Sequence, residues 1–156
     1  MADLTVSGHF VRSALSGADL QNRDINALLR HAGISPDLLK APRARVSSAQ
    51  FSRLMQVIWE DMQDEFGGLG PRRCRPGTFA TMCTLALECT TLESTLVRCH
   101  HFSNLFENAV SMRLEKEGQE ARLVLEIEGE IHDPQYFLRE SILVIWHRLC
   151  SWLIGQ

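Results

Sequence analysis

The chain has 156 residues, 45% hydrophobic and 22% charged, a balance that supports a globular core and argues against disorder. A net charge of −3 and a pI near 6.1 argue against this segment itself gripping a phosphate backbone. The acidic start Met1-Ala2-Asp3-Leu4 does not read as a secretory signal, and the longest apolar run, Ile142 to Trp146, falls far short of the ~20 residues of a bilayer span.

The first forty residues read as short helices rather than as a sheet. Val6, Phe10, Val11, Ala14 and Leu15 fall at helical spacing, and Ser16-Gly17 suggests a stop. Asp24 can cap a second helix carrying Ile25, Leu28 and Leu29, closed by Gly33. Ser35-Pro36-Asp37 opens a brief helix through Leu39. Pro42 and Arg43–Arg45 form a linker. Ser47 and Gln50 then make the S-x-x-Q spacing of a capping box, and Phe51, Leu54, Met55, Ile58 and Met62 give the next helix its apolar face.

Gly67, Gly68, Gly70 and Pro71 break that helix, leaving a loop to Gly77. A helix follows from about Thr78 to Cys89. Thr90 and Glu93 make a second capping box, opening a helix that carries Leu92, Leu96, Cys99, Phe102, Leu105 and Phe106, with Asn108 as its stop. The period then changes to two. Val110, Met112 and Leu114, and after Gly118 Leu123, Leu125 and Ile127, predict an antiparallel hairpin with one buried face. Asp133-Pro134 reads as a cap and first-turn proline for a helix to Ile154. Leu143, Val144, Ile145, Trp146, Leu149, Trp152 and Leu153 cover most of its circumference, which predicts burial on more than one side. Because the sequence stops two residues later, missing sequence or a partner chain is expected.

Five cysteines, at 74, 83, 89, 99 and 150, make an odd count without a C-x-x-C, which fits reduced thiols and a cytoplasmic location. Arg72, Arg73 and Arg75 could present guanidinium forks to a ligand carboxylate or phosphate, but a solvated loop packed on the acidic Asp61–Glu65 helix end is the plainer reading. Cys99-His100-His101 invites a metal reading. Consecutive helical residues point apart, however, so a core cysteine with two boundary histidines is preferred and no metal is expected. Cys83 and Cys89 share no face, and nothing marks a base beside them, so no catalytic residue is expected. Glu126, Glu128 and Glu130 alternate along a strand and read as its solvent face, while His132 and Asp133 read as loop and cap. Phe79, Met82, Phe102, Phe106, Trp146 and Trp152 could line an apolar effector pocket, though a helical core explains them as well.

From Val46 onwards the sequence resembles the sensor region that precedes the helix-turn-helix domains of AraC/XylS-type bacterial transcription regulators, the type called arabinose-binding-like or ornithine-regulator-like. The matching pieces are Asp64 with Phe66-Gly67-Gly68-Leu69-Gly70, the block Cys74-Arg75-Pro76-Gly77-Thr78-Phe79, and Cys89-Thr90-Thr91-Leu92 with Leu96 and Arg98. Phe102-Ser103-Asn104-Leu105 and the stretches Glu140-Ser141-Ile142-Leu143 and Leu149–Gly155 complete the match, which covers about two-thirds of the chain. The resemblance implies a sensing or dimerising domain that controls an attached DNA-binding domain. Two departures limit it. The helix-turn-helix motifs are absent here, so DNA would be reached only through a domain this sequence lacks. The sequence is mostly helical, so a sugar-binding β-barrel is not implied.

The expectation is an α+β fold: a helix-rich chain with a central antiparallel hairpin and a long buried carboxyl-terminal helix. Residues 1–45 form a helical amino-terminal portion and 46–156 a sensor-domain fragment, together one compact domain. It would bind an unidentified small metabolite, with no cofactor and no membrane, and would form a homodimer; an effector-free homodimerisation module is the alternative. The effector contacts expected first are Arg75, Phe79, Arg98 and Phe102.

Overall fold

A computed structural model of the chain describes residues 4–41, 43–106, 110–133 and 135–155. Its order is β1 (Thr5–Ser7), α1 (Gly8–Leu20), α2 (Ile25–His31), a 3-10 turn (Pro36–Lys40), β2 (Arg45–Ser47) and α3 (Ser48–Met62). Then follow α4 (Thr78–Ala86), α5 (Leu92–Ser103), β3 (Val110–Glu117), β4 (Glu120–Ile127) and α6 (Phe137–Leu153). The fold is α+β, with two small antiparallel two-stranded sheets among the described residues, β1–β2 and β3–β4.

The first core gathers Val11, Leu15, Leu28, Leu29 and Ile34 with Val46, Leu54 and Ile58, drawing on both sides of residue 45. Its helices start as their side chains dictate. Asp24 accepts a hydrogen bond from the Ala27 N–H at 2.9 Å, and Ser47 and Gln50 form the reciprocal capping box in full. Two expectations fail here for non-local reasons. Val6 is not helical: it pairs with Val46 across the first sheet, where Arg45 also grips Thr5 through its Nε and Nη2. Gly17 does not end α1. It lies inside the helix, and the position is glycine because a Cβ there would stand 2.1 Å from the Gly67 carbonyl oxygen.

Two consecutive carboxylates organise the glycine-rich loop between α3 and α4. The Asp64 side chain is buried and accepts from the N–H groups of Phe66 (3.0 Å), Gly68 (2.9 Å) and Cys74 (2.8 Å). Glu65 accepts from the Gly77 and Phe79 N–H groups at the start of α4, at 2.7 and 3.1 Å. The loop thus wraps on acidic residues through backbone amides, a charge-assisted arrangement. Asp61 faces the other way, in an ion pair with Arg23 at 2.7 Å.

The second core is Met82, Ala86, Leu96, Cys99, Phe102, Met112 and Trp146, with Leu114, Leu123, Leu125, Ile142 and Leu149 packed around it. The hairpin has the expected register, Met112 opposite Leu125 and Leu114 opposite Leu123, and turns at Gly118 with φ +59°. β4 ends at Ile127, so of the three alternating glutamates only Glu126 lies in the strand, paired with Arg113. The box that opens α5 is Thr91 with Ser94, one residue beyond the expected Thr90 and Glu93. α5 ends at Ser103; the expected stop at Asn108 lies outside the described residues.

α6 is present and long, but it is not buried on more than one side. Only Leu138 and Trp146 are buried, while Leu143, Val144 and Trp152 are 58%, 60% and 66% exposed. The reason is geometric. The second core packs on the stripe of Ile142, Trp146, Leu149 and Cys150, and a two-stranded hairpin offers nothing to cover the opposite face. The start of α6 reaches back to the first core, where Phe137 packs and Ser13 donates to the Gln135 side chain.

Candidate effector site

A groove of about 250 Å3 opens between β4 and α6, lined by Leu125, Ile127, Arg139, Ile142 and Leu143. Strand alternation puts Leu125 and Ile127 on the same face of β4, and one helical turn brings Arg139, Ile142 and Leu143 to the facing side of α6. Four of the five residues are aliphatic. The fifth supplies a cation.

Asp133 and Tyr136 stand beside that cation at the start of α6. Asp133, whose side chain is only 1% exposed, accepts from the N–H groups of Leu138 at 3.1 Å and Arg139 at 3.2 Å. A carboxylate at this end of a helix meets unpaired donors and the positive end of the dipole. Asp133 is therefore a cap, as the sequence suggests, although the helix begins only at Phe137; the expected first-turn proline, Pro134, lies outside the described residues. The Arg139 guanidinium sits 3.8 Å from Asp133 and 5.3 Å from the centre of the Tyr136 ring. The first distance is too long for a hydrogen bond.

A second groove, of about 200 Å3, lies at the hairpin tip between Glu115, Lys116, Glu117, Glu120 and Arg122. Its walls are charged throughout, so it offers no apolar surface for a metabolite to cover.

The four contacts expected from the sequence lie elsewhere and on separate tasks. Arg75 is exposed, and its carbonyl accepts from the Thr78 N–H and hydroxyl. Phe79 stands edge-on to Trp146 with ring centres 6.4 Å apart. Arg98 donates to the Leu85 carbonyl at 3.0 Å and lies 3.7 Å from Glu88, tying α5 to the end of α4. Phe102 is buried in the second core and packs on Phe106. Phe79 and Phe102 thus meet the same apolar cluster, whereas Arg75 and Arg98 point to separate surroundings. The groove residues escaped the sequence reading because only tertiary packing joins them. The one signal was Arg139 standing among apolar neighbours on α6.

Among the described residues no group of three or more His, Cys, Asp or Glu side chains is arranged to hold a metal. Cys99 is fully buried, and His100 Nδ1 donates to the Met112 carbonyl. Burial, and then the neighbouring Glu65 carboxylate, push the Cys74 thiol up to about 12. Burial, and then nearby thiols, push Cys99 up to about 11. Burial raises Cys83 and Cys150 as well. For the buried Cys74 and Cys99 these are the surroundings of inert thiols, since the thiolate is the nucleophile.

The family model described as the arabinose-binding domain of AraC transcription regulators, N-terminal, matches residues 23–156. The chain belongs to that family. No curated protein and no solved structure is a significant match to it. The match makes this AraC-type domain regulatory rather than a member of an enzyme family. It takes in α2 through α6, the glycine-rich loop on Asp64 and Glu65, and every residue of the β4–α6 groove. No helix among the described residues is long and apolar enough to cross a membrane.

Proposed function

We propose that this AraC-type domain senses a small metabolite and, through it, controls a DNA-binding helix-turn-helix domain attached to it in the cytoplasm. The observation that carries this reading is the β4–α6 groove, an apolar concavity with one convergent charged group, the usual composition of a small-molecule site. The mechanism is a population shift: an effector biases the regulator only as far as it binds one arrangement better than another. α6 suits such a role because it touches both cores, through Phe137 at one end and Trp146 in the middle. Residues 1–45 act as the helical portion on which the sensor region, 46–156, is seated. Arg75, Phe79, Arg98 and Phe102 remain alternative effector contacts. A thermal-shift screen against amino acids, amines, carboxylic acids and sugars tests the reading. A dose-dependent rise for one chemical class is expected, because a ligand of the folded state alone stabilises it with concentration. A flat response across all classes would remove the sensor reading.

A second reading is homodimerisation, with or without an effector. It rests on the outer face of α6, where Val144 and Trp152 are exposed. Glu140 and Arg148 stand four residues on either side of Val144. Antiparallel packing of two copies about Val144 would set each Glu140 opposite the other copy's Arg148, the self-complementarity that two-fold symmetry requires. Light scattering that finds a strict monomer at all concentrations would exclude it.

A further inference from the structure

We infer that the β4–α6 groove takes a small apolar monocarboxylate, its carboxylate on Arg139 and its hydrocarbon part on Leu125, Ile127, Ile142 and Leu143. The inference rests on the sensor reading and names the chemical class of the effector.

Size comes first. A dry apolar cavity of about 150 Å3 takes up benzene. A groove of about 250 Å3 therefore holds a phenyl ring or a short alkyl chain with a polar head beside it. The lining then sets the chemistry. A sugar would leave most of its hydroxyls against Leu, Ile and Leu side chains without partners, which is costly. A hydrocarbon tail loses nothing there.

The head group follows from Arg139. The guanidinium carries five donors in a planar fork that matches a carboxylate. Among the described residues none of them makes a hydrogen bond: the Asp133 carboxylate stands at 3.8 Å, already held by two backbone N–H groups. The Tyr136 ring lies on one side of the guanidinium, 5.3 Å from ring centre to guanidinium carbon. About half of the Arg139 side chain is exposed, at 44%, so an anion reaches it without displacing a buried partner.

Charge then selects among anions. Asp133 lies 3.8 Å from the Arg139 guanidinium, and Glu140 follows Arg139 in the first turn of α6. One added carboxylate shares the guanidinium with Asp133, whereas a phosphate or a dicarboxylate would bring surplus negative charge towards both. A single carboxylate is the best match.

The test is calorimetric titration of the whole chain with phenylacetate and hexanoate, and with the neutral amides of both. The acids are expected to bind and the amides at least about tenfold more weakly, the loss typical of a hydrogen-bonded charge pair. Arg139→Gln should erase the difference between acid and amide, and Arg139→Lys should restore part of it. Leu143→Asn, which removes apolar lining without adding charge, should weaken acids and amides together. The Arg139 side chain makes no hydrogen bond and is 44% exposed, so the two Arg139 variants should melt near the parent, less only the weak pairing with Asp133 and Tyr136. Equal binding of acid and amide, or acid binding unchanged in Arg139→Gln, would overturn the inference. If the acids fail but a sugar or amine from the wider screen binds, the inference falls and the sensor reading stands. If nothing in any class binds, both fall.

Discussion

A Cβ on Gly17 would lie 2.1 Å from the carbonyl oxygen of Gly67, so α1 and the glycine-rich loop meet backbone to backbone. No real Cβ tolerates that distance from a carbonyl oxygen, and the obstacle is main chain that cannot swing aside. Gly17→Ala gains about 1 kcal/mol of helix propensity but must push the loop away from α1. Overpacking of this kind costs about 1–3 kcal/mol, so the net effect expected in urea unfolding is destabilisation. A variant as stable as the parent would show that the loop is not seated there.

The same loop depends on Asp64. Its carboxylate holds the N–H groups of Phe66, Gly68 and Cys74. Asp64→Ala removes all three acceptor contacts and leaves the Cys74 N–H buried, so a loss of about 2–4 kcal/mol is expected. Asp64→Asn keeps one acceptor oxygen and should lose less. Urea unfolding of the pair checks the order, which reverses if the site matters for its volume alone.

Thiol burial makes stability depend on alkaline pH. The unfolded chain loses thiol protons near the ordinary value of 9.0, whereas Cys74 holds its proton to about 12 and Cys99 to about 11. The unfolded state therefore binds fewer protons across that window. Stability from this source is complete below about pH 9 and falls as pH rises towards 11 and 12. Cys99→Ala should flatten the decline, though it also leaves a cavity that lowers stability at every pH. At pH 8 Cys74 and Cys99 should resist iodoacetamide in the folded protein, while the half-buried Cys83 and Cys89 react first. Rapid labelling of Cys99 would contradict its place in the core.

On the outer face of α6, Val144→Glu sets like charges against each other at the proposed two-fold axis. The expected outcome in sedimentation equilibrium is a shift from dimer to monomer. Melting at low concentration should stay within about 0.5 kcal/mol of the parent, because Val144 is 60% exposed. A dimer that survives the change uses another face.

Local rules carried the sequence reading a long way. Asp24, Ser47 with Gln50, the hairpin register and the existence of α6 all follow from side chains acting within a few residues. The second capping box slipped by one because Thr90 and Thr91 are adjacent and the Ser94 hydroxyl, rather than the Glu93 carboxylate, closes the box. What escaped was non-local. Val6 is extended because it meets Val46 forty residues away, and the mid-helix glycine at position 17 is there for its close approach to Gly67, not as a stop. For α6, periodicity showed a helix but not which faces its neighbours would cover. The groove is the extreme case, since Leu125 and Ile127 read as ordinary hairpin core until α6 is laid beside them.

The central claim is that the groove between β4 and α6 is where this AraC-type domain meets its effector. Hydrogen–deuterium exchange of the chain with and without saturating phenylacetate tests it most directly. Slower exchange over residues 123–127 and 137–145, with little change elsewhere in the second core, is the predicted result. Protection confined to residues 75–79 and 98–102 would place the ligand on the contacts first expected from the sequence and contradict the account.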